Sequence, residues 1–114
     1  MSIINYSAPN KLLTVARGHP YEKDAFAGLF TELTDYEVCH VEQPVAQQLL
    51  TPAAIDQFDA MVFYDMPGVD FTAGDASPRA VPPSQAFMNN FTPMHEAAMR
   101  IVFMNHAISS WPPW

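Results

Sequence analysis

Cysteine is almost missing from this chain: Cys39 stands alone, so no disulfide can close within it. Glycine is scarce too, with four residues, and none falls in a dinucleotide or phosphate-loop pattern. The first strand-like run is followed by "RGHPYE", which has one glycine where such loops need several. Lys and Arg together number 5 against 12 acidic residues, a net charge of -7. No basic footprint for nucleic acid or an anionic membrane surface is present. No apolar run approaches membrane-spanning length, and no charged segment followed by an apolar one opens the chain. CxxC, HExxH and EF-hand spacings are all lacking, so no dedicated metal motif exists and no cofactor is expected. These gaps read as a soluble protein of a reducing compartment, the cytoplasm, with Cys39 a small buried hydrophobe.

What the chain does have is apolar bulk. Of its 114 residues 49% are hydrophobic and 15% charged, a balance for one globular domain with one modest core. Eleven prolines sit mainly at segment junctions. Residues 1–10 read as a lead-in and residues 11–114 as the folded part. "KLLTVARG" from Lys11 is a continuous apolar run closed by Gly18, the mark of a strand buried on both faces of a parallel sheet. Pro20, Glu22 and Asp24 then open a helix over 21–34 with Phe26, Leu29, Phe30 and Leu33 on one face. "YEVCHV" (36–41) is a second strand. "VAQQLLTPAAIDQFD" follows as helix in two pieces, with Thr51 as N-cap and Pro52 in the first turn.

"AMVFY" (60–64) makes a third strand, stopped by Asp65-Met66-Pro67-Gly68. The polar stretch "VDFTAGDASPRAVP" reads as a loop longer than most connections. A helix over roughly 84–98 follows, carrying Phe87, Phe91, Met94 and Ala98, and Pro93 kinks or restarts it. "IVFM" (101–104) is strand four. Strands alternating with helices predict an α/β flavodoxin-like open parallel sheet in the order 2-1-3-4, with helices on both faces.

Ligands of such sheets bind outside the carboxyl ends of the strands. Here those ends carry Arg17-Gly18-His19, Glu42-Gln43, Asp65 and Asn105-His106, whereas the strands themselves are almost wholly apolar. Each residue has a plainer role open to it. His19 before Pro20 starts a helix or faces the site, and Asp65 is a turn residue or a ligand contact. Glu42 caps its strand. His106 follows a buried strand and is read as a site residue. His40, within strand two, and His95, within a helix, are read as structural or solvated. Trp111 and Trp114 pack as core or offer aromatic faces to a sugar. His19, Asp65 and His106 are competent metal ligands, yet no spacing demands a metal.

The segments "LLTVARGHPYEKDAF", "VEQPVAQQLL", "FDAMVFYDMPGVDF" and above all "IVFMNHAISSWPPW" resemble, in order, the ThuA-like (trehalose utilisation) family, within the class I glutamine amidotransferase-like fold. The resemblance runs from Lys11 to Trp114. Domains of that family continue well past the His-Ala and Trp-Pro motif, so it implies that these residues are the N-terminal portion of a longer, truncated domain. The fold's amidotransferases carry a nucleophilic cysteine in the turn after strand four. Here Asn105-His106-Ala107 stands instead, and Cys-His hydrolysis has no nucleophile.

The resemblance implies a role in trehalose or glycoside utilisation. The expected ligand is small and sugar-like, bound at the strand-end edge by His19, Asp65, Asn105, His106 and Trp111. Were there catalysis, His106 or His19 would be the general acid or base. The rival readings are a non-catalytic flavodoxin-like assembly module and an amidotransferase-like hydrolase lacking the elbow cysteine. A homo-oligomer is expected in either case, because "IVFM" and two terminal tryptophans make an apolar patch.

Overall fold

A computed structural model describes residues 9–17, 20–66, 68–70, 79–104 and 107. Strand β1 (Asn10–Arg17) leads to helix α1 (Lys23–Gly28), strand β2 (Tyr36–Glu42) and two 3₁₀ turns, Val45–Gln48 and Pro52–Asp56. Strand β3 (Ala60–Asp65), the short strands β4 (Val69–Asp70) and β5 (Arg79–Ala80), helix α2 (Gln85–Glu96) and strand β6 (Ile101–Phe103) complete the order. The main sheet runs β2-β1-β3-β6, and all three of its pairings are parallel. This is the α/β open sheet that the alternation of apolar runs predicts, in the predicted order.

The two faces of the sheet are covered differently. Leu13 and Val15 of β1 and Met61 and Phe63 of β3 pack with Ala46, Leu50, Phe87, Met94 and Ala107 into one core cluster. The 3₁₀ turns and α2 therefore lie on that face. On the other face Phe26, the buried residue of α1, stacks on Tyr64 at 5.0 Å and meets the His40 ring at 5.3 Å. Ser84 starts α2 by accepting a hydrogen bond from Phe87 N at 3.1 Å, and its hydroxyl donates to Gln47 Oε1 at 3.1 Å. That cap fastens α2 to the first 3₁₀ turn and contributes about 1 kcal/mol.

Several sequence expectations are corrected. The helix expected over 21–34 ends at Gly28, and residues 29–34 continue as turns. Leu29 and Leu33 are 60% and 41% exposed, so the apolar face was longer than the surface available to it. Thr31 Oγ1 donates to Gly28 O at 2.8 Å, satisfying a carbonyl of the last turn. The two helical pieces after β2 are 3₁₀, beside Pro44 and Pro52. The long polar loop holds a two-stranded antiparallel ribbon, Val69 opposite Ala80 and Asp70 opposite Arg79. Helix α2 runs through Pro93 as one element, because the proline sits near its end and Ala97 N still reaches Pro93 O at 3.0 Å. Asn10, placed in the lead-in, already belongs to β1.

Candidate functional site

Parallel register brings the carboxyl ends of the strands level. Arg17 pairs with Asp65 and Ala16 with Glu42, while Met66 N donates to Arg17 O at 2.9 Å and Met104 N to Phe63 O at 2.8 Å. Asp65 is 2% exposed and Gln43 is 5% exposed. Gln43 Nε2 donates to Asp65 Oδ2 at 2.9 Å. A carboxylate only accepts, which fixes the amide orientation and leaves Gln43 Oε1 pointing elsewhere. That oxygen is buried and finds no hydrogen-bond partner among the described residues; leaving such an acceptor unmade costs about 1–3 kcal/mol. Arg17, at the end of the central strand, has φ 90°. Non-glycine residues rarely adopt that conformation, and such strain gathers at functional sites.

A second polar cluster lies on the α1 face. Thr14 Oγ1 is 2.7 Å from His40 Nδ1, Tyr21 Oη is 3.1 Å from His40 Nε2, and Tyr21 Oη donates to Glu42 Oε1 at 2.5 Å. The carboxylate at one end sets every direction. Tyr21 gives its proton to Glu42, so its oxygen accepts from His40 Nε2–H, and the bare Nδ1 accepts from Thr14. Lys23 completes the chain with a contact to Glu42 at 3.1 Å. Hydroxyl, imidazole and carboxylate in a row have the order of an acyl-transfer triad. Thr14, however, lies in the middle of β1, beneath α1 and away from the strand-end edge where such sheets take ligands. The chain is a structural brace that fixes α1 to β1 and β2, in keeping with the structural reading of His40.

The charge states follow from these contacts. Burial, with the Glu42 charge beside it, raises the Tyr21 phenol well above its ordinary value. The Tyr21 hydrogen bond, then Lys23, holds Glu42 below the usual carboxylate range. Burial lowers His40, and burial followed by the Glu37 charge raises the Cys39 thiol, which leaves it protonated and a poor nucleophile.

Unfolded His40 takes its proton near 6.5 and the folded form only at lower pH, so acidification favours the unfolded chain. Glu42 acts in the same direction lower down: its stabilisation is present above 4.5 and is lost as the pH falls through its lowered value. The expected result is a melting temperature that drops between about pH 7 and about pH 5 and drops further in stronger acid. His40→Gln should melt lower than the parent at neutral pH and lose the upper part of that slope. A parent curve that is flat from neutral pH to the carboxylate range would contradict the brace.

Of the residues expected from sequence at the site, Asp65 is at the carboxyl edge and buried. His19, Asn105, His106 and Trp111 lie outside the described residues, as do Trp114 and the 1–8 stretch of the lead-in. Ala107 of the same motif is 3% exposed within the α2-side core. His95 is exposed on α2, as expected. The pairing of Gln43 with Asp65 was missed by sequence reasoning, although both had been noted as strand-end residues. Among the described residues no three His, Cys, Asp or Glu side chains gather to hold a metal, and no helix is long and apolar enough to cross a membrane. A separate cleft of about 400 Å³ opens on the α1 face between Tyr21, Phe26, Leu29, Tyr64 and Met104. No protein-family model, curated protein or solved structure matches the chain.

Proposed function

We infer that this chain is a ThuA-like carbohydrate-utilisation protein of the cytoplasm, which binds a small sugar-like ligand at the carboxyl edge of its sheet. The observation that carries this reading is the buried Asp65, 2% exposed, at the end of β3 beside Gln43. Strand ends are where open α/β sheets receive ligands, and this one carries an ionisable group. Its carboxylate suits the hydroxyls of a sugar, with His19, Asn105, His106 and Trp111 as the further contacts and His106 or His19 as the acid or base of any catalysis. Trehalose is the natural probe.

Asp65→Asn keeps the oxygen that accepts from Gln43 and removes the charge. It should weaken trehalose binding by at least about tenfold, since hydrogen bonds to charged groups contribute roughly 1.5–3 kcal/mol. Calorimetric titration checks this, and equal affinity in the Asn variant and the parent would remove Asp65 from the site.

A second reading, an assembly module, is supported by the apolar surface on the α1 face. Val102, in register with Val62, is 54% exposed and Leu29 is 60% exposed, beside the aromatic cleft. That reading expects a homo-oligomer, and light scattering that gives a monomer at high concentration would count against it.

A further inference from the structure

Three features stand out beside the His40 brace: the largely apolar cleft on the α1 face, Arg17 with its positive φ and the amide of Gln43. The amide is the most constrained. Its backbone N–H donates to Ala16 O at 3.0 Å, and its backbone carbonyl accepts from Arg17 Nη1 at 3.4 Å. Its side-chain Nε2 donates to Asp65 Oδ2 at 2.9 Å. The residue is thus held at three points, from β1, from Arg17 and from β3, and is 5% exposed. Of its polar atoms, Oε1 alone finds no partner among the described residues.

We propose that Gln43 is a specificity-determining residue of the carboxyl-edge site, its Oε1 accepting a hydrogen bond from a hydroxyl of a neutral, polyol-like ligand. The argument rests on the sugar-binding reading above and narrows it. Because Nε2 is spent on Asp65, the side chain turns an acceptor, and no donor, toward an incoming group. Beside it stands a carboxylate, which also only accepts when ionised. Together they select for ligand donors and disfavour a phosphate or carboxylate at that position, which would meet lone pairs and like charge. Oε1 finds no donor among the described residues, so a ligand hydroxyl at the strand end takes that place in the proposal. A buried acceptor held this rigidly discriminates strongly against a ligand lacking the matching donor.

Two substitutions test this by calorimetric titration with trehalose, alongside the parent at each pH. Gln43→Met keeps the length and removes both amide functions; affinity should fall at least about tenfold at every pH. Gln43→Glu retains oxygen acceptors but sets two carboxylates together near neutrality, where they repel, and their repulsion makes one of them take up a proton in mild acid. Its affinity, relative to the parent's, should be weak near neutrality and recover in mild acid, as one shared proton restores a donor toward Asp65. That acid limb is a signature that loss of packing does not produce, and it keeps the test open should the Met variant fail to fold. Parent-like affinity in Gln43→Met, or no relative recovery in Gln43→Glu, overturns the role of Gln43 alone. A parent that binds no trehalose overturns the sugar-binding reading and this inference with it. A crystal structure of the complex with only a trapped water on Oε1 overturns the inference and leaves the reading standing.

Discussion

Leu13→Ala should cost about 3–5 kcal/mol of folding stability, the upper part of the range for large-to-small core changes. Leu13 is fully buried in the central strand, paired on one side with Cys39 of β2 and on the other with Met61 of β3. A cavity there touches three strands and the α2-side cluster at once, and a parallel sheet braced on both sides has little freedom to collapse into it. Domains of this size hold only about 5–15 kcal/mol in total, so the variant should sit near its unfolding midpoint. Urea denaturation followed by circular dichroism measures the loss. A change below about 1 kcal/mol would mean that β1 is not the centre of the sheet.

Phe26→Ala should cost about 3–5 kcal/mol as well, for a different reason. Helix α1 has six residues and one buried side chain, too short to hold itself by helix propensity. Phe26 anchors it by stacking on Tyr64 and by edge contacts to Tyr21 at 5.8 Å and Phe30 at 5.2 Å. Without that ring, Tyr21 loses the wall that holds it between His40 and Glu42. The variant should therefore lose the acid-dependent slope assigned to His40 together with its stability. Loss of stability with the slope intact would separate α1 from the brace.

The sheet was legible because β1, β3 and β6 are apolar runs and β2 alternates as a strand does, and the alternation of strands with helices points to right-handed crossovers in a parallel sheet. The helix boundaries were less so. The apolar spacing of Leu29 and Leu33 continues past Gly28, but both side chains stay exposed, and periodicity alone cannot report whether a residue meets a partner surface. The β4–β5 ribbon was hidden for the opposite reason: two residues a side carry no periodic signal, and the stretch between is polar.

At the site, Asp65 could be found because it follows an apolar strand directly. Gln43 could not be joined to it, because Gln43 follows β2 while Asp65 ends β3, and they meet only once the register sets Arg17 beside Asp65 and Gln43 N on Ala16 O. His40 was placed as structural from its position within a strand, but its partners Thr14, Tyr21 and Glu42 come from three segments and needed the fold.

The central claim is that a small polar ligand enters at the carboxyl edge, beside Asp65 and Gln43. The most direct measurement is amide NMR of the chain during titration with trehalose. Saturable shifts are expected on Arg17, Gln43, Asp65 and Met66, with the helix α1 amides little changed. Shifts confined to the α1 face around Ala25 and Leu29, or no saturable shift at all, would contradict it.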